Sequence, residues 1–229
     1  MSFFNDLIAR TETQRQYLLE APLIQRCMQG LPLTLDEYRC FLAQAYHHVK
    51  HTVPLLMAFG SRLRMDQEPY REAIAEYIEE ELGHQRWVLN DLVAAGGDRE
   101  MTVHSRPLPA TELMVAYAYD TIARVNPMAF FGMVLVLEGT SINLATQAAD
   151  RIQQQLALPD SAFSYLRSHG SLDQEHMVFF EKLMNSVDAE EDREAITHAA
   201  QMFYGLYGNI FREIATQSPS QPMPIAVGS

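Results

Sequence analysis

Residues 130–140 read Phe-Phe-Gly-Met-Val-Leu-Val-Leu-Glu-Gly-Thr, and they lie in the most apolar predicted helix of the chain. A helix that is apolar on every side is surrounded by other helices, so we expect a central helix from Pro127 to about Leu156. Asn126 followed by Pro127 is typical of a helix start, with a capping residue before proline at the first helical position. The sequence therefore predicts a bundle built around this helix.

The segments on both sides of the central helix have apolar residues at three- and four-residue spacing, without strict alternation. This pattern predicts an all-α chain. We expect the other helices at about 5–20, 22–30, 34–62 with a kink at Pro54, 69–96, 109–124, 159–186 and 190–217. Thr34 and Glu37 predict a capping box at the start of the third of these. The polar stretch 98–109 is the longest predicted loop and a candidate lid. No repeat or composition break divides the chain, so we expect one domain over 1–217 and a flexible Pro/Ser-rich tail over 218–229.

Composition excludes several classes of protein. Seventeen Lys and Arg residues against 29 Asp and Glu give a formal net charge of −12, which argues against nucleic-acid binding and against adhesion to anionic lipid. The start of the chain lacks the apolar run of a secretory signal, and we predict no membrane-spanning segment and no membrane partner. Cys27 and Cys40 imply no disulfide framework, so we expect a cytoplasmic protein.

The octet 169–176 reads His-Gly-Ser-Leu-Asp-Gln-Glu-His. On a helix, positions four and seven residues apart share a face, so His169, Asp173 and His176 would project into one volume. Two imidazoles and a carboxylate suit a transition metal such as iron or manganese. Half-buried histidines with a helix-capping aspartate would explain the octet equally well, so the rest of the chain has to decide.

A second candidate pair is Glu81 and His84, which form a Glu-x-x-His motif. This i, i+3 spacing is the one that carboxylate-bridged di-iron proteins place on a helix. Taken alone, the pair is better explained as part of an exposed acidic helix, because Glu79 and Glu80 precede it.

Glu138 lies within the apolar central helix. An ionised carboxylate there is costly unless a cation or strong hydrogen-bond donors compensate it. It is therefore either a metal ligand, which we favour, or the partner of a buried basic residue such as Arg124.

A fourth source of donors is the run Tyr46-His47-His48-Val49-Lys50-His51. His47 and His51 share a face by four-residue spacing, whereas His48 points elsewhere. Four separate predicted helices thus each offer carboxylate or imidazole groups, which predicts a metal centre inside the bundle.

These motifs resemble the haem-oxygenase-like superfamily, and specifically its di-iron oxidase and oxygenase branch. Relatives with this fold commonly carry a segment like 136–140, Val-Leu-Glu-Gly-Thr, in the central helix. The iron-binding branch adds a Glu and a His on one helix, a Glu on the central helix and a His-x-x-x-Asp-x-x-His stretch later. The resemblance implies a bundle of about seven or eight helices.

Carried over position by position, the resemblance implies the metal ligands Glu81, His84, Glu138, His169, Asp173 and His176. The branch usually has a further carboxylate on its early core helix. Here His47 takes that place, with His51 in reserve. The resemblance implies two Fe(II) ions, and the histidine at the carboxylate position leaves a single iron or a mixed Mn/Fe pair open.

The implied function is an O2-activating oxidase or oxygenase that acts on a small organic substrate, such as a fatty acid, an amino acid or an amine. Two alternatives remain on the same fold: a metal-free protein that binds a small ligand, and a TenA-like hydrolase with Glu138 as base. Ligands must converge on one point, whereas polar lining need not. Helix packing would also allow a homodimer. Candidates for binding a substrate carboxylate are Arg62, Arg124, Lys50, Tyr46 and Tyr117.

Overall fold

The computed structural model describes residues 2–217, together with their side chains except those of residues 169–176. Across this range the chain forms eleven α-helices and no strand, which confirms the all-α prediction. The helices are α1 Phe3–Leu19, α2 Pro22–Met28, α3 Leu35–Val49, α4 Thr52–Arg62, α5 Glu68–Glu81, α6 His84–Ala94, α7 Arg99–His104, α8 Pro109–Asp120, α9 Phe130–Leu156, α10 Ser164–Asn185 and α11 Glu190–Gln217. There are more helices than predicted because two predicted helices are each divided and one predicted loop holds a short helix.

The predicted central helix is α9, which packs against α2, α10 and α11. Asn126 caps the turn that leads into it, since its side-chain oxygen accepts a hydrogen bond from the Met128 N–H at 2.9 Å. Phe131 is fully buried and meets the Phe59 ring edge-on at 4.9 Å between centroids. By length and composition the segment 127–156 could cross a membrane, contrary to our expectation, but 56% of its most apolar window is buried inside the protein. It is the core helix of the bundle.

The helix predicted over 34–62 is divided into α3 and α4 at Lys50 and His51. Pro54 has no N–H to donate to the carbonyl of Lys50, four residues earlier, so the hydrogen-bond ladder stops there. It resumes where the Leu55 N–H donates to the His51 carbonyl at 2.8 Å. At the other end, the capping box predicted at Thr34 and Glu37 is present.

The helix predicted over 69–96 is divided as well, between α5 and α6. Gly83 has φ +101°, a left-handed conformation that favours glycine and that no α-helix contains. The chain therefore turns between Glu81 and His84 instead of carrying both on one continuous helix.

The stretch 98–109, predicted as a loop, contains α7. The Asp98 side chain caps this helix by accepting from the Met101 N–H at 2.9 Å. The following segment is tied to α3, because the Leu108 N–H donates to Gln44 Oε1 at 2.8 Å. These contacts hold the segment against the bundle.

The start of α10 is fixed by a residue of α6. Asp91 is fully buried and accepts hydrogen bonds from the Tyr165 N–H at 2.8 Å and from the Ser164 hydroxyl. Burial raises the pKa of Asp91, although the hydrogen bonds from Ser164 and Tyr165 oppose this rise. Asp91 thus caps, from another helix, the element that carries residues 169–176.

Replacing Asp91 with alanine is expected to cost about 2 kcal/mol of unfolding free energy, because it leaves the buried Tyr165 N–H without its acceptor. Asparagine keeps one acceptor oxygen and should cost about half as much. Urea unfolding measures both. Asp98→Ala, which removes a surface cap from α7, is the control and should cost no more than about 1 kcal/mol. Equal losses at the two positions would contradict the assignment.

The last predicted helix, 190–217, coincides with α11. The predicted tail, 218–229, lies outside the described residues. The limits of the single domain stay a prediction.

Candidate metal centre

Glu81 and His84 are in direct contact. Glu81 is the last residue of α5, His84 is the first residue of α6, and the turn at Gly83 brings Glu81 Oε2 within 3.0 Å of His84 Nδ1. Both side chains are largely buried, with 12% and 3% of their surface exposed. The His84 ring also packs on Trp87, with 4.1 Å between ring centroids. The predicted pair is therefore formed, across a turn rather than along a helix.

Glu138 lines a cavity of about 80 Å³, and Glu81 lines the same cavity. Apolar side chains make up much of the wall; they are Leu56, Phe130, Met133, Val134 and Leu137. Two carboxylates, one from α5 and one from α9, thus line a cavity whose wall is largely apolar. The alternative partner of Glu138, Arg124, is 78% exposed and pairs with Asp120 at 3.1 Å.

The early core helix contributes His48 to this cavity. The imidazole is 4% exposed and meets the Tyr207 ring edge-on at 6.0 Å between centroids. The sequence instead favoured His47 for this place, because helical spacing pairs His47 with His51. The apolar stripe of α3 gives the better signal, since His48 follows Phe41 by seven residues and Ala45 by three.

His47 is buried but is held by other groups. Its Nδ1 lies 3.2 Å from Lys50 Nζ, and its Nε2 lies 2.9 Å from the Ser105 hydroxyl oxygen. Lysine only donates, so Nδ1 accepts and Nε2 carries the proton that is donated to Ser105. The Ser105 hydroxyl in turn donates to the Thr102 carbonyl at 2.9 Å. Both ring nitrogens of His47 are therefore engaged.

The ionisation of His47 agrees with this hydrogen-bond chain. Burial lowers its pKa to about 4, and the neighbouring charges of Lys50 and His51 add to the effect. The imidazole is thus neutral at pH 7. His51, the reserve position, is half-buried with its Nδ1 3.1 Å from the Tyr119 hydroxyl. Neither His47 nor His51 lines the cavity that Glu81 and Glu138 share.

The remaining predicted ligands, His169, Asp173 and His176, have side chains outside the described part of the structure. Their backbone belongs to α10, which packs along α9. Among the side chains that the structure describes, no three His, Cys, Asp or Glu groups come together closely enough to hold a metal ion. A complete metal centre at this cavity therefore requires donors from 169–176.

Solved structures with the same fold cover nearly the whole chain. A domain of unknown function with a haem-oxygenase-like fold from Shewanella denitrificans OS217 is 23% identical, with 93% of this chain and 92% of that chain covered and a TM-score of 0.85. A TenA homologue from Pseudomonas syringae pv. tomato DC3000 is 15% identical, with 94% and 93% covered and a TM-score of 0.78. The predicted fold is therefore confirmed as haem-oxygenase-like.

A haem oxygenase is also among these neighbours. Haem oxygenase-2 from Synechocystis sp. PCC 6803, solved with haem and NO, is 16% identical over 95% of this chain and 86% of its own, with a TM-score of 0.73. No curated protein matches the sequence. The sequence profile of the iron-containing redox enzymes matches residues 39–208, most of the helical bundle. The chain belongs to the iron-containing redox enzyme family.

Proposed function

We propose that this protein is a non-haem iron oxidase or oxygenase that activates O2 and acts on a small organic substrate. The observation that carries the proposal is the contact of Glu81 with His84, in a chain of an iron-containing redox family, beside a buried cavity that Glu81 shares with Glu138 and His48. Carboxylates on α5 and α9 and imidazoles on α3 and α6 supply the donor types.

The donor chemistry fits iron. Imidazole and carboxylate groups bind iron and manganese well, whereas the described lining of this cavity offers no thiolate to select zinc or copper(I). The 3.0 Å between Glu81 Oε2 and His84 Nδ1 is a hydrogen-bond distance, and it also matches two neighbouring donors on one octahedral ion, about 3 Å for bonds of about 2.1 Å. A hydrogen bond and joint binding of one ion both require the two side chains to be close together, and the turn at Gly83 places them so.

In the proposed centre, Glu81, His84, Glu138 and His48 act together with His169, Asp173 and His176, and they hold two Fe(II) ions. His48 takes the position that the sequence resemblance gave to His47. Iron bound there would supply electrons to O2 and open positions for O2 and substrate.

The residues of the chain have their own parts in the reaction. Glu81 orients the His84 ring, and a fixed ring orientation raises metal affinity. The apolar wall formed by Phe130, Met133 and Val134 limits water at the reacting atoms, which protects reactive species from side reactions. Glu138 brings negative charge to this largely apolar wall, and that charge would favour an oxidised metal bound there.

We also propose a cytoplasmic protein without nucleic-acid or membrane partners. The net charge of −12 supports the absence of nucleic-acid and anionic-lipid partners, and the presence of only two cysteines supports the cytoplasmic location. We also propose that the protein is a homodimer. Size-exclusion chromatography with light scattering tests this by measuring the molar mass in solution.

Two adjacent histidines give the sharpest test of the centre. We expect protein produced in iron-supplemented medium to carry about two irons per chain by elemental analysis. His48→Gln should lose most of this iron, because the lost group lines the cavity. His47→Gln is the matched control and should keep its iron, because the His47 ring is hydrogen-bonded to Ser105 and Lys50. His176→Ala, on α10, should lose iron as well.

The opposite result would be equally clear. Iron loss in His47→Gln but not in His48→Gln would return the early-helix position to His47. Wild-type protein that binds no transition metal, even after anaerobic addition of Fe(II), would overturn the oxidase proposal. The metal-free ligand-binding and TenA-like hydrolase alternatives would then stand.

A further inference from the structure

A second cavity, of about 110 Å³, lies beside the proposed metal centre. It is lined by residues of α2, α3, α9, α10 and α11, and its described lining is mostly apolar. From α2 come Leu23, Ile24 and Met28, and from α9 come Leu144, Ala148 and Ile152. Aromatic rings close the opposite side, where Phe41 stacks on Phe211 with 6.1 Å between centroids. The sequence alone gave no sign of this space.

The two cavities adjoin. Ser141, Tyr165 and Tyr207 line both of them. Ser141 lies one turn after Glu138 on α9, and its hydroxyl donates to the Glu138 carbonyl at 2.9 Å. A molecule in the apolar cavity therefore has one end at the space that Glu81 and Glu138 line.

The apolar cavity offers no partner for a charged group among the side chains that the structure describes. Of the described residues in its wall only Glu37 is charged, and Glu37 accepts hydrogen bonds from Arg26 and from the Thr34 N–H at 2.8 Å. Burial raises the pKa of Glu37, but the bonds from Arg26 and Thr34 outweigh this and keep it below its ordinary value. Glu37 is thus an ionised, locally neutralised part of the α3 cap.

Binding of a substrate carboxylate in either cavity would require an arginine or a lysine at the wall. None of the described side chains that line either cavity is Arg or Lys. The charged candidates for binding a substrate carboxylate, Arg62, Arg124 and Lys50, therefore lie outside both cavity walls. Lys50 donates a hydrogen bond to His47, and Arg62 donates one to the Ala123 carbonyl at 2.9 Å. The chemistry of the walls selects a neutral, apolar group.

We propose that this cavity holds the hydrocarbon part of the substrate, a neutral alkyl or aryl group, with the reacting end at the junction formed by Ser141, Tyr165 and Tyr207. A cavity of about 150 Å³ lined by aliphatic and aromatic side chains holds a benzene ring, so this space suits a group of roughly six carbons or slightly fewer. The assignment of this group as substrate rests on the proposed oxidase function.

Binding of the 1-alkanols from butanol to octanol, measured by titration calorimetry on iron-free and iron-loaded protein, tests the inference. Each added methylene should raise affinity about fourfold until the cavity is full. Ala148→Leu fills the cavity from α9 and should lower hexanol affinity at least tenfold. Gln147→Leu adds the same side chain at the exposed neighbouring position and should leave hexanol affinity unchanged. Thermal melting by circular dichroism checks the fold, and Ala148→Val, a smaller filler, should give an intermediate loss.

The outcomes separate this inference from the oxidase proposal, because iron content is measured in the same preparations. The apolar site is overturned if alkanol affinity does not rise with chain length. It is also overturned if Ala148→Leu and Ala148→Val bind hexanol as tightly as the wild type does, whether or not iron binds. A chain-length series that Ala148→Leu abolishes, in protein that takes up iron, supports the full inference. The same series in protein that takes up no iron keeps the apolar ligand site and removes the oxidase.

Discussion

Glutamine in place of Glu138 is expected to lower iron affinity at least about a hundredfold while the fold is retained. Glutamine has nearly the shape of glutamate, so the packing of α9 around Met133 and Leu137 should persist. What is lost is the negative charge in a cavity with an apolar wall, where an anion attracts a cation far more strongly than in water. Iron titration, followed by elemental analysis after desalting, measures the change.

The control for Glu138 is a glutamate that faces solvent. Glu79 is exposed on α5, two residues before Glu81. Glu79→Gln removes the same charge from the protein and should leave iron binding unchanged, because solvent and salt screen that position. Equal iron affinity in the Glu138 variant and the wild type would mean that Glu138 is polar lining, and the metal centre would have to be rebuilt without α9.

Local sequence rules predicted the elements that local forces determine. The Thr34 capping box, the Asn126 cap and the limits of α11 all depend on neighbouring residues, and the structure has each of them. The breaks were harder to predict. Gly83 adopts φ +101° where α5, which packs against α4, gives way to α6, which packs against α3, and nothing in the spacing of Glu81 and His84 reveals that turn.

The candidate site shows the same division. The Glu-x-x-His spacing drew attention to Glu81 and His84, and the family resemblance implied their role as ligands. The structure brings the two side chains into contact, and the ligand role stays a prediction. The choice between His47 and His48 depends on how α3 is rotated about its own axis within the bundle. Successive side chains on a helix point about 100° apart, so a step of one residue decides which imidazole faces the cavity. The apolar cavity is less predictable still, because its shape depends on how side chains from five helices far apart in the sequence pack together.

Alanine in place of Gly132 is expected to destabilise the fold strongly, although it adds only one methyl group. Gly132 lies on α9 where α11 approaches most closely, and an added Cβ would lie 2.5 Å from the Ala200 backbone nitrogen and 2.8 Å from the Ile196 carbonyl oxygen. Those atoms belong to the backbone of α11, so relief requires the two helices to move apart. We expect a loss of about 3 kcal/mol, the upper range for overpacking, and a fall in Tm of roughly 6–12 °C.

Gly139, seven residues further along α9, provides the matched control for Gly132. An added Cβ there meets none of the described atoms within 4 Å. Gly139→Ala should therefore stabilise the protein by about 0.5–1 kcal/mol, the ordinary gain from alanine over glycine within a helix. Urea unfolding of both variants gives the comparison, with opposite signs expected. If the two variants lose or gain stability equally, the close contact of α9 with α11 does not hold in solution, and the position of Glu138 relative to Glu81, which depends on how α9 is seated, would be in doubt as well.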